Sequence, residues 1–228
     1  MFSKIKYVAA TAALVLAVQS TAQETETDKG KLSYAIGYQI GSDFNKRALD
    51  VDVETVLAAI RDAVSETDPT VPREEMVTLL RDLEQKIREE QLEKFKALAE
   101  KNKGESEKFL SENKTKRGIT ELPSGVQYRI IEDGTGSRPG LESDVTVHYR
   151  GSLISGFEFD SSFARGVPAT FKVSEVLRGW QEVIPLMRMG GKWQVFVPPE
   201  LAYGERGQPP IGPNETLIFD LHLIEVKS

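Results

Sequence analysis

The chain has 228 residues, with 29 basic against 35 acidic side chains and no cysteine. The acidic balance argues against a nucleic-acid partner, and the missing thiol excludes disulfides, thiolate chemistry and lipid attachment to cysteine, so the chain is not expected to be a lipoprotein. Glycine and proline divide it, since 14 of the 18 glycines and nine of the 11 prolines lie from Gly118 onward.

Residues 1–22 carry Lys4 and Lys6, an apolar run from Val8 to Val18, and then Ser20, Thr21 and Ala22, the small residues that a signal peptidase reads. This is the pattern of a secretory signal cleaved after Ala22, too short for a convincing membrane span. Its removal takes away two lysines and no acid, moving the net charge from −6 to −8. A soluble periplasmic product is expected, with association to the outer membrane left open.

From Asp28 to Asn45 the spacing predicts a helix with Leu32, Ile36 and Ile40 on one stripe and Ser33, Gly37 and Gly41 on the next. Each glycine costs a helix about 1 kcal/mol, which close approach to another helix would offset; a weak helix is the alternative. A second helix is expected after Asp52, a good N-cap, with Val53, Val56, Leu57, Ile60 and Val64 at helical spacing and Asp68 and Pro69 ending it. These segments offer apolar faces but too few residues to cover them. A second copy of the chain is the expected supplier of the missing surface, giving a homodimer.

The next helix is expected from Pro72, with Glu74 and Glu75 near the positive end of its dipole. Met76, Leu80, Leu83 and Ile87 form its stripe, which then thins to Leu92, Phe95 and Leu98. Between Pro72 and Arg117 there are 23 charged side chains and one glycine, Gly104, at which the helix either continues or bends or breaks. The segment reads either as a stalk or as a solvated coiled-coil stretch without a spacer role.

Beyond Gly118 the period becomes two. Val126, Tyr128 and Ile130; Val145, Val147 and Tyr149; Trp193, Val195 and Val197; and Leu217, Phe219, Leu221 and Leu223 each alternate with other residues, and turns at 133–136, 139–140, 155–156 and 190–191 separate them. An antiparallel sheet follows. Within it, Val176-Leu177-Arg178-Gly179-Trp180 predicts a short helical turn laid across the sheet with the indole inward. His148 and His222, the only histidines, are expected on the strand faces opposite the core. A metal site and a serine nucleophile at Ser161 or Ser162 both lack partners on this reading, so neither a metal nor another cofactor is expected.

Five segments carry a resemblance: Val147-His148-Tyr149-Arg150-Gly151, Gly156-Phe157-Glu158-Phe159-Asp160-Ser161-Ser162, the Val176–Trp180 run, Leu201-Ala202-Tyr203-Gly204, and Thr216-Leu217-Ile218-Phe219-Asp220. In this order and spacing they resemble the FKBP family of peptidyl-prolyl cis-trans isomerases. The runs from Gly104 to Leu110, from Asn113 to Lys116 and from Leu122 to Tyr128 are similar to its bacterial macrophage infectivity potentiator (Mip) subgroup.

The resemblance implies an α+β chain: a signal peptide (1–22), an all-helical dimerisation region (23–71), a long connecting helix (72–117), and an FKBP-like antiparallel β-sheet wrapped on a short helix (118–228). It implies Asp160 and Tyr203 as catalytic residues, with Tyr149, Phe159, Val176, Leu177, Trp180, Ile211 and Phe219 around a proline pocket floored by Trp180. The Leu177 amide would donate to a substrate carbonyl. Ala169 stands where many members carry an aromatic and Gln208 where histidine is common. Expected partners are proline-containing unfolded or exported polypeptides and macrolide immunosuppressants of the FKBP-ligand type.

Such a site would turn Xaa-Pro bonds by desolvating and hydrogen-bonding the twisted amide, without proton transfer, with chaperone activity from the cleft of a dimer. Asp160 would act electrostatically or simply hold a neighbouring Tyr or Arg. The rival reading is a chaperone module that recognises proline without catalysis.

Overall fold

The computed structural model describes residues 25–227, so the expected signal peptide lies outside the described residues. The chain divides between Ile87 and Arg88 into two compact units.

The first unit is helical. Helix α1 spans Asp28–Lys46, where the Thr27 hydroxyl accepts from the Gly30 amide at 3.0 Å, and α2 spans Val53–Val64, where Asp52 accepts from the Thr55 amide at 2.7 Å. Neither helix buries a single residue. The expected stripes are present but uncovered: Leu32 is 63% exposed and Val64 80%. Gly37 and Gly41 have open space where a side chain would begin, so the close approach that would explain them is not made among the described residues.

Helix α3 spans Arg73–Asn113 and runs unbroken through Gly104, the point at which the sequence leaves its continuity open. A glycine inside so long a hydrogen-bonded helix weakens it by about 1 kcal/mol without stopping it. The residues α3 buries, Asn102, Ser106 and Asn113, are all polar and all lie in the second unit.

That unit is an antiparallel sheet of β1 (Ile119–Glu121), β2 (Gln127–Glu132), β3 (Asp144–Leu153), β4 (Glu158–Ser161), β5 (Ala169–Lys172), β6 (Lys192–Val197) and β7 (Leu217–Lys227). The order is β1-β2-β6-β7-β3-β4, and β5 also pairs with β3. Strands β4 and β5 engage different halves of β3, with Ser161 opposite Arg150 and Phe171 opposite Val145. Between them lies one short helical turn, α4 (Ser162–Arg165), capped by the Ser161 hydroxyl on the Ala164 amide at 3.2 Å.

Helix α5 (Arg178–Val183) lies where the Val176–Trp180 pattern predicts it. Its backbone meets β6 closely enough that a Cβ on Gly179 would stand 2.4 Å from Val197 Cγ1. Its own Val183 joins Val145, Val147, Ile184, Val195, Leu217, Leu221 and Leu223 in a core with almost no exposure. Burying each such side chain is worth roughly 1.5–3 kcal/mol.

Strand β2 departs from simple alternation. Ile130, next to a register shift, is 47% exposed, whereas Gln127 is fully buried. The Gln127 side chain donates to the Leu110 carbonyl at 2.9 Å and accepts from Asn113 at 2.9 Å, so α3, lying over this face, satisfies it. Phe196, also on that side of the sheet, meets Phe109 of α3 with ring centroids 5.8 Å apart.

Candidate functional site

The site is organised by Trp180, carried by α5 into the core cluster and 4% exposed. Three rings meet it edge to face: Phe219 at 5.0 Å, Tyr149 at 5.4 Å and Phe171 at 6.1 Å between centroids. Phe159 joins through Phe219, again edge to face, at 5.8 Å. Such pairs add about 0.5–1.5 kcal/mol each beyond the area they bury.

The strand period supplies this cluster. Tyr149 and Phe219 alternate with the outward Arg150 and Asp220 on β3 and β7, and Gly151 stands directly opposite Phe219. A Cβ on Gly151 would lie 2.6 Å from the Phe159 ring and 2.9 Å from that of Phe219. The glycine is what lets both rings settle over β3.

The rim is polar. Tyr149 Oη donates to Asp160 Oδ2, Arg165 Nη1 donates to Asp160 Oδ1, and Arg165 Nη2 donates to Tyr149 Oη at 2.9 Å. Burial pushes the Asp160 carboxyl up, but the bonds from Tyr149 and Arg165 and the guanidinium charge outweigh it and hold the group below the ordinary carboxylate range. Burial and the bond to Asp160 raise the Tyr149 phenol. Burial and the Asp160 charge raise that of Tyr203.

Of the residues singled out from sequence, Tyr149, Phe159, Trp180 and Phe219 are joined by ring contacts. Ile211 is buried in the same cluster, and Val176, Leu177 and Tyr203 are half-buried against it. Asp160 and Tyr203 are not bonded to each other, and among the described residues the Tyr203 hydroxyl has no hydrogen-bond partner. Leu177, the N-cap of α5, offers its carbonyl to Trp180 and Gln181, while its own amide donates to no acceptor among the described residues.

Two site residues were missed. Arg165 stands five positions after Asp160 in α4, and only the tight turn between them brings the guanidinium back to the carboxylate. Phe171 was legible as a strand aromatic on β5, but its contact with Trp180 depends on β5 returning along β3.

The opposite sheet face also differs from expectation. The sequence offers Ser162 no credible base, yet His148 Nδ1 lies 2.9 Å from Ser162 Oγ, and the His148 ring stacks on Phe163 at 4.6 Å. Ser162 is fully buried, and its oxygen accepts from the Tyr149 amide at 2.7 Å and donates to the Tyr149 carbonyl at 3.2 Å. The pair is a strand clasp without the access that a nucleophile needs. A cavity of about 470 Å³ beside it is lined by Arg150, Glu158, Ser161, Phe163, Ala164 and Asp220, where Arg150 and Asp220 already neutralise each other at 2.6 Å. Among the described residues no three His, Asp or Glu side chains are placed to hold a metal ion.

Two family models match the chain. One is described as a domain amino terminal to FKBP-type peptidyl-prolyl isomerase, over residues 29–130, and the other as FKBP-type peptidyl-prolyl cis-trans isomerase, over residues 136–224. The chain is 46% identical over 202 residues to the outer membrane protein MIP of Legionella longbeachae, covering 88% of this chain and 87% of that protein. It is 41% identical over 203 residues to the peptidyl-prolyl cis-trans isomerase Mip of Coxiella burnetii, covering 89% and 88%. Among solved structures it is similar to FkpA from Escherichia coli, with a TM-score of 0.70 at 31% identity over 88% of this chain and 97% of that one.

Proposed function

The chain belongs to the FKBP-type peptidyl-prolyl cis-trans isomerase family and is an enzyme of that kind; from that premise we propose that its substrate proline sits on Trp180, within the ring cluster. The observation that carries the reading is the combination of an aromatic basin with two donors, the Tyr203 hydroxyl and the Leu177 amide, that have no acceptor in the chain among the described residues.

Rotation about a peptide bond faces a barrier of about 18–20 kcal/mol because the planar form is held by resonance. The planar amide is the more dipolar and better hydrated form. A pocket walled by Tyr149, Phe159, Phe219, Val176 and Ile211 takes water away and so favours the twisted amide. Hydrogen bonds that fit only the twisted form add to this, because only differential binding accelerates the step, at about 1.4 kcal/mol for each factor of ten. Leu177 and Tyr203 are the donors in this reading. Asp160 acts through Tyr149 and Arg165, fixing the rim, and no proton moves.

The exposed stripes of α1 and α2 support assembly into a homodimer through residues 23–71 and the start of the helix over 72–117, with chaperone activity residing in this paired region. Residues 118–228 with the preceding helix carry the isomerase. Clients would be proline-containing exported polypeptides, and macrolides of the FKBP-ligand type would compete for the basin. The leader read in residues 1–22 and a relative named as an outer membrane protein support a periplasmic location, with outer-membrane association as the finer alternative.

The test is isomerisation of a short Xaa-Pro peptide by the mature protein, its Asp160→Ala and Tyr203→Phe variants and an Ile211→Ala variant, each checked for folding. Lower kcat/KM in all three supports the placement. Full activity in all three, with the proteins folded, puts the site elsewhere.

A further inference from the structure

Asn102 and Ser106 lie one turn apart on α3, so their side chains leave the same face. Both are buried, at 4% and 2% exposure, on a helix that is otherwise almost wholly exposed. Buried amides and hydroxyls are costly unless bonded, and both of these bond to the same short stretch of loop. Asn102 Nδ2 donates to the Pro213 carbonyl at 2.8 Å. Ser106 Oγ donates to the Asn214 carbonyl at 2.8 Å and accepts from the Thr216 amide at 3.0 Å. In the other direction, Asn214 Nδ2 donates to the Ala99 carbonyl at 3.1 Å.

The fastened stretch is the return limb of the loop that leaves the pocket at Tyr203 and re-enters the sheet at Leu217. The Asn214 amide donates to the Gly204 carbonyl at 2.9 Å, next to Tyr203. Gln208 and Ile211 exchange backbone bonds at 2.9 and 2.7 Å, which closes the tip around a pocket residue. Asn214 has φ +54°, a left-handed conformation that a non-glycine residue keeps where its surroundings hold it. The side chains holding it come from α3.

We propose that Asn102 and Ser106 are positioning residues of the isomerase site: by clamping residues 213–216 to α3 they fix, through Asn214 and Gly204, the lip that presents Tyr203 and Ile211 to the substrate. The last turns of the helix are thus part of the isomerase machinery. The proposal rests on the placement of the substrate over Trp180. Asn113 supplies the contrast, being a buried amide on the same helix whose bond, to Gln127 at 2.9 Å, goes to β2 and not to the loop.

The experiment uses the whole mature chain carrying Asn102→Ala, Ser106→Ala, Ser106→Thr or Asn113→Ala, and follows steady-state isomerisation of a short Xaa-Pro peptide, chemical unfolding and amide hydrogen exchange. Ile211, the apolar part of the lip, walls the pocket in ground and transition states alike, so its displacement raises KM, whereas displacement of Tyr203, which serves the twisted amide, lowers kcat. Asn102→Ala and Ser106→Ala are expected to raise KM about fivefold and to lower kcat as well. The amides of Ile211, Asn214 and Thr216 should exchange faster while those of β3 and β7 keep their protection. Ser106→Thr, which retains the hydroxyl, should bring KM back, and Asn113→Ala should lower stability with both constants unchanged.

Unchanged KM in folded Asn102→Ala and Ser106→Ala overturns the proposal, and so does an equal rise in Asn113→Ala. If Ser106→Ala does not fold, Asn102→Ala decides. Tyr203→Phe and Ile211→Ala run alongside separate the two readings. If they lose activity and the clamp variants do not, the clamp alone fails; if they lose nothing, the placement of the site fails and the clamp with it.

Discussion

Tyr149 and Asp160 are joined by a hydrogen bond from phenol to carboxylate, and Arg165 bridges both, with one guanidinium nitrogen on the carboxylate and the other 2.9 Å from the phenol oxygen. Both carboxylate oxygens are thereby engaged. An acid held in this way, below its ordinary range, is an anchor and not a base.

The pH dependence follows. Asp160 stays ionised, and Tyr149 and Tyr203, both raised, stay protonated through neutrality, so kcat/KM should be flat between about pH 6 and 8. For a carboxyl lowered on folding, the stabilisation is complete above the unfolded value of ~3.9 and is lost as pH falls through the folded one. His222 is lowered by burial and by the Lys192 and His148 charges, so its contribution is present above ~6.5 and declines as pH falls. Rate and unfolding should therefore be measured on the same samples. A bell-shaped rate profile centred near neutrality, with the protein folded throughout, would require proton transfer and would sink the desolvation mechanism.

Asp160→Ala should leave the Arg165 guanidinium and the Tyr149 hydroxyl without their shared acceptor, lowering kcat/KM by about 10- to 100-fold, or roughly 1–3 kcal/mol. Asp160→Asn keeps an acceptor for the phenol and loses the charge, so its effect should be smaller. Peptide isomerisation kinetics on the two variants give the order, and an equal loss in both would assign the effect to charge alone.

The periodic parts of the fold were legible in the sequence. Period two gave the inward rows of β3, β6 and β7, and the Val176–Trp180 pattern gave α5, because alternation and a buried indole leave few other solutions. Pairings between elements distant in sequence were not legible. The Asp160 to Arg165 bond needs the turn of α4, the His148 to Ser162 clasp needs the register of β3 with β4, and Gln127 reads as a solvent-facing strand residue until α3 is laid over it. Asn102 and Ser106 carry no local signal, since a polar residue on a charged helix looks solvated. Their partners are more than a hundred positions away.

Tyr203→Phe separates function from structure in the basin. The hydroxyl has no intramolecular bond among the described residues, so removing it should change unfolding free energy by no more than about 0.5 kcal/mol. If it donates to the twisted amide, kcat/KM should fall by up to about tenfold. Loss of stability without loss of rate would give the phenol a structural role.

Gly151→Ala should be damaging although the substitution is small. Its methyl would fall 2.6 Å from Phe159 and 2.9 Å from Phe219, and both rings would have to move off β3. Overpacking of this kind costs about 1–3 kcal/mol. Since the same rings wall the basin, kcat/KM should drop with the stability, and a folded Gly151→Ala protein of full activity would show that the two rings are dispensable to catalysis.

The final prediction concerns the first unit. Helices α1 and α2, 19 and 12 residues long, bury nothing within the chain. Isolated helices shorter than about 12–15 residues are marginal in water, and longer ones in proteins owe most of their stability to packing of an apolar face, so both need a partner surface, and their exposed Leu32, Ile36, Leu57, Ile60 and Val64 fit a second copy. Sedimentation of the mature protein should give twice the chain mass at micromolar concentration. Leu57→Asp changes a side chain that is 42% exposed in one chain, so in a monomer it should alter stability by no more than about 0.5 kcal/mol. In a dimer it places an unpaired charge in the interface, and should shift the protein toward monomer with loss of helical circular dichroism while peptide isomerisation continues. Wild-type protein that sediments as a monomer with its helices intact would mean that the stripes serve something other than self-association.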